Sequence, residues 1–142
     1  MTQNAYKNRH RKFDGYYKKM GELFTDPCAY CGAPSVSYDH VPPLTETENN
    51  IELNIKTSKF EKYPACHDCN SWLINIPYKT LKERRRHLLK IFRYKFKKEL
   101  AMPEWTEKEL KDLAPAFADD IRSRQNFSDY LRKRLKNLQG LK

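Results

Sequence analysis

No stretch of this 142-residue chain approaches the ~20 apolar residues that a membrane-spanning helix needs, which excludes an integral helical membrane protein. The opening residues MTQNAYKNRHRKF are basic but lack an apolar run, so they do not read as a secretory signal. The expectation is an intracellular, cytoplasmic protein. No segment recurs at a period of roughly 20–50 residues, and no tract is of low complexity. Cysteine is sparse: four residues, at 28, 31, 66 and 69. In a reducing compartment these do not form disulfides. What remains is one ordinary domain with a modest core and a helical bias, 39% hydrophobic and 32% charged.

The net charge of +10 points to a polyanionic partner, and its distribution says more than its sum. Residues 1–24 carry a net +4, residues 78–100 +8 and residues 122–142 +6. Residues 25–77 and 101–121 each carry −4. An acidic centre holding every cysteine is therefore flanked by basic shoulders. This suits a metal site within a phosphate-gripping surface; the plainer alternative is a set of solvated helix faces.

Residues 5–24 read as a helix interrupted by Gly15, with Tyr6, Phe13, Tyr17 and Leu23 or Phe24 as apolar contacts. Pro27 precedes the first knuckle, Cys28-Ala29-Tyr30-Cys31-Gly32, where Gly32 permits a tight turn. Val36–His40 has β character and ends at Pro42-Pro43. Residues 44–62 read as a loop with a short strand near 59–63. Cys66-His67-Asp68-Cys69 opens a short helix running to about Asn75. Thr80 and Glu83 form a capping box before a helix to Leu100, whose apolar stripe is Leu81, Leu88, Ile91 or Phe92, Phe96 and Leu100. Thr106 and Glu109 repeat the box before a short helix. Pro115 begins another, and Asn126 or Ser128 caps a last amphipathic helix that Gly140 stops. This divides the chain into a basic helical arm (1–26), a cysteine-stapled core (27–77) and a basic helical extension (78–142).

Two matched C-x2-C pairs read as one four-thiolate zinc site, by Cys28, Cys31, Cys66 and Cys69. Four protein ligands leave no open position, so this zinc is structural. Clamping the strand to the short helix brings Asp39, His40 and Asn70 near one another. Asp39 and Asn70 offer hard oxygen ligands suited to Mg²⁺ or Mn²⁺. Neighbouring strand residues face opposite ways, so Asp39 and His40 share a site only if the strand ends or twists there.

Taken in order, CAYCG, YDHVPP and PACHDCN resemble the HNH endonucleases of the zinc-knuckle, ββα-metal type, in a phage-like variant. The resemblance covers about residues 28–76. It implies an α+β fold: a β-hairpin and helix around a catalytic metal, stapled by zinc, with mostly helical extensions. It also implies that His40 is the general base, that Asp39 is the acidic ligand before it, and that Asn70 stands at the final ligand position. The family's middle Asn falls at Lys59, beside Ser58; Asn49, Asn50 or Asn54 are the nearby candidates to replace it.

The function expected is metal-dependent cleavage of DNA phosphodiester bonds, by a protein whose resemblance points to a phage gene in a bacterial host. The alternative is a catalytically weakened HNH scaffold that binds nucleic acid or serves phage assembly, with the C-terminal helices as a protein-binding surface. Arg84, Arg85, Arg86, Lys90 and Arg93 are the expected phosphate contacts. His10 and His87, in basic runs, are lesser ones. His67 reads as an exposed helix-start residue rather than a fifth ligand.

Overall fold

The computed structural model describes residues 3–46, 60–74, 76 and 80–140. It is α+β and mostly helical. In chain order the elements are α1 (Gln3–Phe13), β1 (Lys18–Lys19), β2 (Ser37–Val41), β3 (Glu61–Ala65), α2 (His67–Leu73), α3 (Leu81–Lys95), α4 (Lys97–Leu100), α5 (Glu107–Lys111) and α6 (Pro115–Leu138). Asn49, Asn50, Asn54, Ser58 and Lys59, the positions considered for the middle Asn, lie outside the described residues.

The sheet has strand order β1-β3-β2. Strand β2 pairs antiparallel with β3, setting Asp39 opposite Tyr63 and His40 opposite Lys62. Strand β1 adds a short parallel edge beside Glu61 and Lys62. That edge replaces the second half of the helix expected over 5–24. The helix stops at Phe13, passes through a 3₁₀ turn at Asp14–Tyr16, and becomes extended at Tyr17. Phe13 and Tyr17 are buried with Leu44 and pack on Phe60, so two of the apolar contacts expected there form without a continuous helix; the side chain of Tyr6 lies outside those described. Phe24 instead is exposed, at a positive φ of 64°.

The threonine half of each capping box forms. The Thr80 hydroxyl accepts from the Glu83 amide at 3.2 Å, and the Thr106 hydroxyl accepts from the Glu109 amide at 3.2 Å. The helix expected to reach Leu100 breaks at Phe96, a turn between α3 and α4. In the opposite sense, the two helices expected beyond Pro115 are one helix of 24 residues. No Gly or Pro interrupts residues 116–138, and Ser128, expected as a cap, is buried inside the helix against Met102. A serine favours a cap only where the backbone leaves the helix, and here nothing makes it leave.

The main core does not respect the boundary expected between residues 77 and 78. One cluster joins Cys28, Tyr30, Cys31, Ala65, Cys66, Cys69 and Leu73 to Leu88 and Phe92 of α3 and to Leu131 and Leu138 of α6. Trp72 packs at its rim against Phe92 and Phe96. The C-terminal helices are thus walls of the cysteine core rather than an appendage.

Gly32 is where this packing is tightest. Its φ is +78°, and a Cβ there would lie 2.4 Å from the Asn137 side-chain nitrogen, which donates to the Cys31 carbonyl at 3.0 Å. Gly32→Ala should therefore destabilise the fold by about 1–3 kcal/mol through backbone strain and loss of that bond. Urea unfolding measures it; an unchanged midpoint would mean that α6 does not press on the knuckle.

Candidate functional site

The first centre is built from two turns. In one, the Gly32 amide donates to the Cys28 carbonyl at 3.0 Å and the Cys28 amide to Ala33 at 2.7 Å. In the other, Cys66 caps α2, its sulfur accepting from the Cys69 amide at 3.4 Å. The Ala29 amide donates to the Pro64 carbonyl at 2.8 Å and hangs the first turn on β3. All four sulfurs are buried and lie within 4.8 Å of one another, with Cys31 and Cys66 3.6 Å apart. The set can hold a tetrahedral metal ion such as zinc.

The thiols also show why a cation belongs there. Hydrogen bonds from Cys31, Cys66 and Cys69 favour a thiolate at Cys28. That thiolate, with burial, then pushes Cys66 and Cys69 well up. Cys31 is lowered as well, to about 7, so two sulfurs ionise more readily and two resist, unless positive charge sits between them. Part of that charge comes from α6. Arg134 is buried, with Nε 3.2 Å from the Cys31 sulfur, Nη2 3.7 Å from that of Cys66, and Nη1 3.3 Å from the Asp68 carboxylate.

Strand β2 continues one residue past His40, so Asp39 and His40 part company. Asp39 meets the Arg84 guanidinium: Nη2 is 2.6 Å from Oδ1 and Nε 2.9 Å from Oδ2, and the Tyr30 hydroxyl donates to Oδ2 as well. Burial raises the Asp39 carboxyl above its ordinary range although Arg84 and Tyr30 oppose this. Two expectations are corrected here. Asp39 has both oxygens committed to an internal pair, so it does not fit a cation ligand as it stands. Arg84 has no exposed surface and also donates to the Ile76 carbonyl at 3.1 Å, so it is no phosphate contact. A helix of basic residues must still bury one face, and Arg84 falls on the face with Leu88.

His40 lies on the other side. It is 7% exposed, and its Nε2 is 2.7 Å from the Asp14 carboxylate at the end of α1. Lys62, across the strand pair, donates to both Asp14 oxygens at 2.8 and 2.9 Å. Burial pushes Asp14 up, but the bonds from Lys62 and His40 outweigh it and hold the carboxyl below its usual range. Burial lowers the His40 pKa, and the Asp14 bond only partly offsets this. A cavity of about 40 Å³ touches Asp39, His40, Asn70, Leu73 and Arg84, room for water but not for a large ligand. Asn70 borders it and donates to the Ser37 hydroxyl at 2.8 Å. Asp39, His40 and Asn70 therefore come together around one space, but their side chains do not form one ligand set.

Of the expected phosphate contacts, Arg86, Lys90 and Arg93 are exposed on α3, spaced three and four residues apart. Arg85 is partly buried and donates to the Ala29 carbonyl at 2.9 Å. His67 is exposed at the start of α2. Asp14, Lys62 and Arg134 were missed by reasoning from the sequence. The signal for Asp14 was present: it is the single acid in residues 1–21, four residues after His10. Lys62 and Arg134 carried none, being basic residues among many.

No protein-family model, no curated protein and no solved structure matches this chain.

Replacing Cys66 with Ser removes a thiolate ligand and the sulfur that Arg134 approaches, while the hydroxyl can still cap α2. The protein is expected to hold about one zinc per chain, and Cys66→Ser to lose it and unfold, since such sites contribute on the order of 10 kcal/mol to folding. Elemental analysis with circular dichroism checks both; folded, zinc-free parent protein would refute the assignment.

Proposed function

We propose that the chain is an HNH-type nuclease that hydrolyses phosphodiester bonds in DNA, with zinc in the four-cysteine centre and His40 as general base. The observation that carries this reading is the setting of His40: buried, with Nε2 2.7 Å from the Asp14 carboxylate, and beside a water-sized cavity. The succession of β2, β3 and α2 around a four-cysteine centre agrees with the ββα order that the resemblance implies.

In this reading His40 takes a proton from water, the water oxygen forms a bond to phosphorus, and the bond to the 3′ oxygen breaks. A divalent cation such as Mg²⁺ or Mn²⁺, when bound, supplies positive charge to the phosphorane and the departing oxygen. Asn70 can offer its amide oxygen to such an ion. Asp39 does not fit that task while Arg84 and Tyr30 hold it. This same pair favours a second reading, a nucleic-acid-binding or phage-assembly protein on the HNH scaffold that has lost cleavage.

Supercoiled plasmid incubated with Mg²⁺, Mn²⁺ or Ni²⁺ separates the two. Cleavage is expected, and His40→Ala should lower it by at least about 10²-fold, with zinc content and DNA affinity kept. A parent that never cuts supports the second reading; a His40→Ala variant that cuts at the parental rate places the base elsewhere.

The exposed charges of α3 make a separate test of DNA as partner. Phosphate contacts make log affinity fall with log salt at about −0.9 per phosphate neutralised on B-DNA. Changing Arg86, Lys90 and Arg93 together to Gln should make that slope shallower by roughly two or three units, equally on unrelated sequences. An unchanged slope would turn this face toward solvent or a protein partner.

A further inference from the structure

Asp14 stands where no motif placed a functional residue, yet it joins two facing side chains of the sheet. His40 and Lys62 are register partners on β2 and β3, and their polar ends converge on one carboxylate from the N-terminal arm. Lys62 grips both oxygens and its side chain is 8% exposed, so the carboxylate is held in place and its charge is compensated. Tyr17 packs edge-on to the His40 ring at 4.7 Å and limits its rotation.

We infer that Asp14 is the positioning residue of His40: it accepts the Nε2 proton, fixes the ring as the Nε2–H tautomer, and leaves Nδ1 with the lone pair that receives the proton of the attacking water. This rests on the nuclease reading for its chemistry, but the pairing itself does not. In effect the arm supplies the orienting group that the Lys59 position does not spell out. Among the described residues the hydrogen bond of His40 goes through Nε2 alone, which gives Nδ1 no competing partner there. An ionised carboxylate cannot donate, so the proton between the two belongs to the ring. The arrangement follows the logic of a base held by a carboxylate, here with a lysine fixing the carboxylate in turn.

His10 offers a rival use for the same atoms. Its Nε2 is 3.6 Å from the same Asp14 oxygen, its ring meets that of His40 edge-on at 5.5 Å, and His10, Asp14 and His40 lie close enough to hold a metal ion. Lys62 decides between them. A buried ammonium bonded to both carboxylate oxygens supplies the positive charge a metal would bring, and repels one.

The test combines spectroscopy with kinetics on the full zinc-bound chain. Long-range proton–nitrogen correlation on histidine-labelled protein should show His40 protonated at Nε2 and bare at Nδ1. In Asp14→Asn the amide can donate to Nε2, so the Nδ1–H tautomer should appear. Plasmid cleavage by Asp14→Asn should fall about 10²-fold in kcat, with KM and zinc content kept. The double variant Asp14→Asn/His40→Ala should cut no more slowly than His40→Ala, because Asp14 acts through His40. Multiplicative losses in the double variant, or an Nδ1–H tautomer in the parent, would overturn the inference. If the parent does not cut DNA, the nuclease reading fails, and the tautomer measurement still decides the pairing. It needs no variant, so a misfolded Asp14→Asn protein does not remove it.

Discussion

Four thiols buried within 4.8 Å of one another are an unfavourable assembly by themselves, since each one ionised makes the next harder to ionise. The chain gathers them from two places 35 residues apart and surrounds them with Leu73, Leu88, Phe92, Leu131 and Leu138. A metal ion between the sulfurs would remove the repulsion, and Arg134 supplies a fixed positive group from the far end of the sequence. Strand β3, helix α2 and helix α6 thus owe their mutual positions to one charge balance. The short first turn, which must pass under α6 at Gly32, leaves it little slack.

The sheet then distributes the chemistry by its alternation. Asp39 and His40 are neighbours in sequence but are held by different parts of the molecule. One is pinned to the basic helix α3 by Arg84, the other to the N-terminal arm by Asp14. Each arm that looked like an addition to a cysteine core therefore reaches into the hairpin with one charged side chain. A buried pair such as Asp39–Arg84 contributes uncertain net stability, yet loss of one partner strands the other, so it fixes α3 against the strand. Arg86, Lys90 and Arg93, by contrast, are exposed on the outer face of α3.

Much of this was legible in the sequence where the signal was local. The paired C-x2-C spacing, the Thr80–Glu83 and Thr106–Glu109 boxes, the β character ending before Pro42 and the positive-φ glycine all act within a few residues. The failures were of long range. Whether Arg84 lies outside or inside depends on Asp39, 45 residues away, and Arg134 is one of seven basic residues in its segment. The helix over 5–24 was misjudged because Phe13 and Tyr17 suit either a helix face or a turn into a strand, and pairing with β3 settles the choice. Asn126 and Ser128 suggested a cap, but packing against Met102 and the core kept α6 whole. DHVPP singled out His40, while Asp14 carried only the signal of a lone acid, and its pairing with a residue 26 positions away was not legible.

X-ray absorption at the zinc edge of the purified protein tests the central claim most directly. The account predicts one zinc with four sulfur neighbours at about 2.3 Å and no lighter ligand. Nitrogen or oxygen in that shell, or a folded protein without zinc, would contradict it.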